Sequence, residues 1–328
     1  MCIRDSNYIL LNPDAISPIK LFTRKGQYVA DIGGIGQGPG EYKTIHFCMI
    51  DEKQKRIYLG PGRANKILTY DLKGNYLSDE AIHFKEIVHK PCIWMDHDKK
   101  HVTVVGLPFS ENENSNFEIS NNVCWVQNRE GDIVHRIPVN HYGLIGDYSN
   151  GLVACRNVDA ISFSIFEDPM LRTRPDTLYH YDAVKNIITP RFTIDHVVSE
   201  NQSACTVLYE TSRSYWARVT LYPNDISSNS SPVRLTTFNV CVSKKDGSVK
   251  RIDRFTNDFL GLSYPFLTMR NGYVCISYDP LELMDALDKV LTQTDLKPEI
   301  RKRATGLRNS LHENDNDILM IGKLKSNY

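Results

Sequence analysis

The 328 residues carry 39 basic and 39 acidic side chains and no formal net charge, so the basic excess or stripe of a nucleic-acid surface is missing. Hydrophobic residues make up 41% of the chain, ample for a sizeable core, and no apolar run approaches the ~18 residues of a membrane-spanning helix. Seventeen Tyr and twelve Phe, with little sign of long helices, lean the class toward all-β.

The chain opens on Met1-Cys2-Ile3-Arg4-Asp5-Ser6, which matches nothing downstream, and then enters Asn7-Tyr8-Ile9-Leu10-Leu11 as if in mid-strand. We expect residues 1–6 to be a non-native scar on a truncated N-terminus and residues 7–328 to form a single domain. The lack of a signal peptide in such a fragment says nothing about export.

Residues 32–42, Ile-Gly-Gly-Ile-Gly-Gln-Gly-Pro-Gly-Glu-Tyr, neither alternate nor repeat. Their glycines tolerate positive φ and tight bends, so the stretch reads as a joint between two sheets. A phosphate cradle is the obvious alternative, and it fails on spacing. Counting from Gly34 or from Gly36, the sixth position holds Pro39 or Glu41 where a dinucleotide fingerprint needs glycine, and no Gly-Lys-Ser/Thr follows. The next residues, Lys43 to Ile50, read as a strand, so no helix N-terminus is present to hold an anion. Glu41 and Tyr42 could reach a channel mouth; the simpler reading has Tyr42 packing the joint and Glu41 bonding amides freed by the glycines.

A unit then recurs along the chain: an alternating strand, a short polar turn with glycine, and a second alternating strand. Copies turn at Gly26, Gly74, Gly131 and Gly247, and a degenerate copy places Asn186 where glycine is expected. Asn is the next most tolerant residue for a left-handed turn position. The spacings, 48 from Gly26 to Gly74, 57 to Gly131, 55 to Asn186 and 61 to Gly247, leave room for two more strands per unit. Propeller blades run ~40 to 50 residues with insertions in loops, so the expected fold is a six-bladed β-propeller of four-stranded antiparallel blades. Its sixth blade uses Phe266–Met269, Tyr273–Tyr278 and Asp317–Leu324, with the last strand expected from the other end of the chain.

Three stretches depart from the unit. Residues 112–122 and 222–232 read as polar loops. Residues 280–311 read as a helical hairpin inserted in the last blade, with Leu283, Leu287 and Leu291 at helical spacing and a basic second segment around Arg301, Lys302, Arg303 and Arg308 whose charges face solvent.

No local cluster points to chemistry. The eight cysteines lack zinc or thioredoxin spacing and sit mostly in hydrophobic runs, as small buried strand residues do. Asp96-His97-Asp98-Lys99-Lys100-His101 is the most metal-like run, but it falls at a hairpin tip between Met95 and Val102. Gly261-Leu262-Ser263-Tyr264-Pro265 lacks the second glycine of a nucleophile elbow. We therefore assign no catalytic residue, metal or cofactor.

Phe22 through Gly26, followed by Ile32 and the run Gly36-Gln37-Gly38-Pro39-Gly40-Glu41-Tyr42, resembles the signature of the six-bladed β-propeller lipoproteins of Gram-negative envelope bacteria, a group similar to NHL-repeat propellers. The ending Asn316-Asp317-Ile318-Leu319-Met320 through Leu324-Lys325 resembles that family's closing strand, which more commonly has Asn-Pro where this chain has Asn316-Asp317. The resemblance implies a six-bladed propeller and an exported, lipid-anchored precursor in the periplasm or on the outer membrane, and it brings no catalytic residues. Gly36, Gly38, Pro39, Gly40, Glu41 and Tyr42 are then family-signature residues with a structural role. The function expected is a non-catalytic binding or scaffold module of the envelope, its partner an envelope protein or a small ligand at the channel mouth. The alternative is a metal-dependent lactonase- or lyase-like propeller with a channel-centred divalent ion.

Overall fold

A computed structural model of the chain describes residues 7–12, 17–96, 100–110, 117–169, 172, 174–195, 202–223, 235–270 and 272–323. The hexapeptide 1–6, most of the 222–232 loop, half of the 112–122 loop and His97 to Lys99 of the metal-like run lie outside the described residues.

The described chain is all-β except for two α-helices, and its strands form successive antiparallel meanders. The first holds β1 (Tyr8–Leu11), β2 (Ile19–Thr23) and β3 (Tyr28–Ile32). A short parallel pair, β4 (Gly34–Ile35) and β5 (Glu41–Tyr42), closes the glycine-rich stretch on itself. The second meander holds β6 (Ile45–Asp51), β7 (Arg56–Pro61) and β8 (Arg63–Asp71). The third holds β9 (Ile82–Met95), β10 (Val102–Leu107), β11 (Asn122–Gln127) and β12 (Ile133–Pro138). Pairing of β8 with β9 fuses these two meanders into one seven-stranded sheet.

The fourth and fifth meanders are clean four-stranded sheets. One is β13 (Gly151–Cys155), β14 (Ile161–Phe166), β15 (Asp176–Asp182) and β16 (Ile187–Ile194). The other is β17 (Gln202–Glu210), β18 (Ser214–Pro223), β19 (Thr236–Ser243) and β20 (Val249–Ile252). A two-stranded ribbon, β21 (Phe255–Thr256) and β22 (Ser263–Tyr264), leads to the last sheet of β23 (Met269–Arg270), β24 (Tyr273–Tyr278) and β25 (Ile318–Lys323). Between the paired strands β24 and β25 run α1 (Pro280–Leu291) and α2 (Pro298–Ser310). The strand expected at Phe266–Met269 shrinks to Met269–Arg270, because Pro265 interrupts the ladder on its approach.

The recurrent turns all have the backbone that their residues favour. Gly26, Gly74, Gly131 and Gly247 sit at φ of 83°, 87°, 92° and 71°, and Asn186 at 53°. Four of these turns join the last two strands of a meander, β2–β3, β11–β12, β15–β16 and β19–β20. At Gly74 the outgoing strand is reduced to a single bridge between Tyr70 and Tyr76.

The core lies between successive sheets, which is why several strands are buried on both faces and read as continuous apolar runs. In β7, Ile57 and Leu59 pack toward the first meander with Leu10, Leu21 and Tyr70, while Tyr58, one step out of phase, packs toward the third with Ile82, Val104 and Trp125. Period-two alternation thus serves two interfaces from one strand. Each such fully buried side chain contributes about 1.5–3 kcal/mol.

The helical hairpin packs Leu283, Leu287, Val290 and Ala304 on Leu260, Leu262 and Tyr264. Asp279 caps α1 through the Leu281 and Glu282 amides, as an N-cap carboxylate does. The basic segment is not the solvated face read from the sequence. Arg301 donates to the carbonyls of Leu291 and Gln293 at the end of α1. Arg303 donates to Phe259 and Asp258 and lies over the Phe259 ring, and Arg308 pairs with Asp288 at 2.8 Å. Orphan carbonyls at a helix C-terminus draw cations to them, and a one-dimensional pattern does not show that geometry.

Candidate functional site

The signature residues fold into a closed, self-bonded loop. Tyr42, 4% exposed, accepts from the Ile19 amide at 2.7 Å and donates to the Ile32 carbonyl at 2.8 Å, so its hydroxyl spans the end of the β2–β3 ladder. The Tyr70 hydroxyl donates to the Gly40 carbonyl at 2.8 Å. Glu41 turns back over the glycines and accepts from the Gly38 amide at 2.8 Å. A Cβ at Gly36 would stand 2.0 Å from Glu41 Oε2, and one at Gly40 would stand 2.7 Å from the Tyr76 ring. Glycine is needed at Gly40, where φ is 74° and the Cβ would meet the root of the Tyr76 side chain; at Gly36 the neighbour is the free end of Glu41, which can swing aside. Pro39 sits at the crest of this turn between Gly38 and Gly40.

A different set of residues converges from separate meanders. Neighbouring meanders lie against one another, through first strands where β1 meets β6, β6 meets β9 and β9 meets β13, and through other strands where β10 meets β13 and β14 and β15 meet β17. The turn after β23 is drawn in by Asn157, whose side chain accepts from the Gly272 amide at 2.9 Å and donates to the Met269 carbonyl at 3.5 Å. This places Arg270 beside side chains of four meanders. Its guanidinium acts electrostatically on Cys92 of β9, His46 of β6, Cys155 of β13 and Tyr209 of β17. Lys90, the second cation here, donates from Nζ to the carbonyls of Tyr148, at 3.2 Å, and Asn150.

The imidazole, thiols and phenol around Arg270 are held in their neutral forms. Burial pushes His46 down to about 3, helped by Arg270 and then Lys90. Burial likewise pushes the Cys92 thiol up to about 11 and raises Cys155 and Tyr209, the direction that low dielectric imposes on groups that would ionise negative. The His46 ring bonds the Leu152 backbone, while its Nε2 is buried without a hydrogen-bond partner among the described residues. The centre therefore combines a permanent positive charge, an unsatisfied imidazole nitrogen and thiols too protonated to act as nucleophiles.

One further polar constellation lies between the fourth and fifth meanders. Glu210, 1% exposed, accepts from His180 Nε2 and Lys244 Nζ, both at 2.5 Å. Burial would raise the Glu210 carboxyl, but the bonds from His180 and Lys244 outweigh it and the net shift is downward. Lys244 also donates to the Thr211 carbonyl at 2.7 Å. The three side chains satisfy one another and brace β15, β17 and β19. Among the described residues no group of three or more His, Cys, Asp or Glu side chains is arranged to hold a metal ion, and the described cysteines form no disulfide.

Sequence reasoning singled out residues 36–42 and missed Arg270, His46, Lys90 and Asn157. No local signal marks them, since they stand on different elements as much as 224 residues apart, from His46 to Arg270.

A family model for a domain of unknown function, DUF4934, matches residues 2–323. The chain belongs to this family. None of the curated proteins matches it. Among solved structures, this DUF4934 chain is similar to a candidate exported protein of Bacteroides fragilis, with 15% identity and a TM-score of 0.58 over 98% of this chain and 88% of that one. It is also similar to a member of the DUF4221 family from Bacteroides vulgatus, with 11% identity and a TM-score of 0.49 over 84% of each chain.

Proposed function

We propose that this DUF4934 chain is a six-bladed β-propeller of the cell envelope that acts as a non-catalytic binding module, and that it holds an anionic group of a small ligand or partner protein where its inner strands converge on Arg270. Successive antiparallel meanders, the first five of them packed side by side with β1 on β6, β6 on β9, β9 and β10 on β13, and β14 and β15 on β17, support the propeller reading. The signature at residues 36–42 and the likeness to a candidate exported protein support the envelope location.

The observation that carries the binding role is Arg270, a fixed charge that acts on side chains of four meanders, among them His46, Cys92, Cys155 and Tyr209, which burial keeps neutral. A guanidinium in such low dielectric favours a carboxylate, phosphate or sulfate. A centre built for proton transfer would instead tune its acid or base toward neutral pH, and burial drives these groups away from it.

Thermal unfolding against a panel of small carboxylates, phosphates and sulfate tests this. At a hundredfold excess over Kd, binding adds about 2.7 kcal/mol, seen as a rise of a few degrees in Tm that Arg270→Gln abolishes. A ligand shift of equal size in Arg270→Gln, or turnover of lactones or glycans that dies with changes on the inner strands, would overturn the proposal.

A further inference from the structure

The fifth meander is covered on one face and half open on the other. Along β17, Ala204, Thr206 and Leu208 are each 1% exposed, and their face packs on Leu178 and Phe192 of the fourth meander. The alternate residues Ser203, Cys205 and Val207 point the other way and are only half-buried. So are Tyr222, Thr220 and Arg218 of β18, which stand opposite them in the ladder. Strand period two gathers these side chains on a single surface.

The segment from Pro265 to Arg270 runs along that surface. The Pro265 carbonyl accepts from Asn239 Nδ2 at 2.6 Å, and Asn239 is the β19 partner of Arg218. At the next residue, the Phe266 ring centre lies 5.0 Å from the Arg218 guanidinium. Thr268 then comes beside the hydroxyl of Tyr209, which follows Val207 on the same face, and Arg270 comes two residues later. Four residues of chain, at most ~13 Å, separate Phe266 from Arg270. Phe266 is 47% exposed, so the surface is open to solvent where Arg218 stands.

The Arg218 guanidinium lies over an aromatic face and has no ion pair or hydrogen bond among the described residues. It is half-buried, and its nitrogens are not among the sealed polar atoms of the described chain, so they are within reach of a solute. Arg218 and Arg270 both act on the Tyr209 phenol. The carboxylates of this region are paired or stand further along the strands. Glu210 is held on the opposite face by His180 and Lys244, and Asp176 by Arg172 at 4.0 Å. Asp168 acts on Cys205 and Tyr222, on the far side of Arg218 from Tyr209.

Two guanidiniums on one surface repel each other, the more strongly as water between them thins. A single anion at Arg270 leaves Arg218 uncompensated. A cation adds to the repulsion, and an apolar ligand strips water from both charges and returns nothing. A molecule with an anionic group at each end satisfies both, since each guanidinium offers a planar fork matched to carboxylate or phosphate. We propose that the ligand held at Arg270 is a dianion, its two charged ends spaced so that the second is bound by Arg218 over Phe266. This rests on the anion-binding reading of Arg270 and narrows its ligand to one class.

Isothermal titration of the whole chain tests it, with the linear dicarboxylates from succinate to sebacate, each beside the monocarboxylate of equal length, and with propane-1,3-diol bisphosphate beside propyl phosphate. At least one dianion should bind about tenfold tighter than its matched partner, the return from one added charged hydrogen-bonding group, and which pair shows the gain tells carboxylate from phosphate. Arg218→Gln should erase the gain and leave the matched partner's affinity unchanged. Arg218→Lys, which keeps the charge and loses the fork, should keep part of it. The comparison within the unaltered chain decides the outcome even if Arg218→Gln lowers stability. If Arg270→Gln abolishes binding of the single-ended anions but no dianion gains over them, or the gain survives Arg218→Gln, the dianion proposal is overturned and the Arg270 reading stands. If no anion binds, or Arg270→Gln leaves all of them bound as before, both are overturned.

Discussion

Replacing Tyr42 by phenylalanine keeps the ring in its place between the first two meanders and removes one oxygen. That oxygen accepts from the Ile19 amide and donates to the Ile32 carbonyl at 2.7 and 2.8 Å, and both partner residues are about as buried as the structure allows, at 1% and 0% exposure. The amide has a single proton to give and bears the full cost of an unmade buried bond, about 1–3 kcal/mol. The carbonyl keeps a second lone pair and loses less, so the sum is about 2–4 kcal/mol. With a urea m-value of about 3 kcal/mol/M, the upper end of the usual range, the unfolding midpoint followed by tryptophan fluorescence should fall by roughly 1 M with m unchanged. Tyr148→Phe, at a residue 87% exposed, is the matched control and should leave the midpoint alone. A Tyr42→Phe shift no larger than that control would refute the view that the signature tyrosine pins the joint.

Gly74→Ala should be much more damaging than Gly247→Ala. Both residues have positive φ, which costs a Cβ about 1–2 kcal/mol, but at Gly74 the Cβ would also stand 2.4 Å from the Asp31 carbonyl, whereas nothing lies within 4 Å at Gly247; equal losses of Tm would count against this. Glu210→Gln removes the buried carboxylate on which the half-buried His180 and Lys244 side chains converge and should cost about 1–3 kcal/mol, measured by the same urea titration. Because the Glu210 carboxyl is held below its ordinary 4.5, its contribution is present above that value and fades as pH falls through the lower folded-state value. His46 has its folded value depressed from 6.5 to about 3. The unfolded chain therefore binds the extra proton between those limits, and stability is full above 6.5 and falls with decreasing pH by up to ~1.4 kcal/mol per unit. His46→Gln should flatten the stability profile between pH 6.5 and 3, and a profile of unchanged slope would exclude His46 as its source.

Features that depend on neighbours in sequence were legible before any coordinates. The turn residues Gly26, Gly74, Gly131, Asn186 and Gly247 stand out because each needs a backbone conformation that few residues tolerate, and all have positive φ. The alternating strands beside them, and the leucines of α1, follow from periods of 2 and 3.6 that the chain itself imposes. The glycines at 36, 38 and 40 likewise announce crowding, although not that Glu41 and Tyr76 are what crowd them.

The tertiary structure alone decided which residues meet. Arg270, His46, Cys92 and Cys155 occupy strands of different meanders, and nothing in the order of residues connects them until those meanders pack. The basic run of α2 reads as a solvated face, because sequence records charge and omits the carbonyls at the end of α1 that Arg301 reaches. The same holds for Asn122, an ordinary polar residue at the edge of a loop until β11 carries it inward beside Glu86. Local conformational preference is written along the chain. Burial and long-range contact, which set the state of His46 and leave Asn122 Oδ1 unsatisfied, exist only once the sheets have packed.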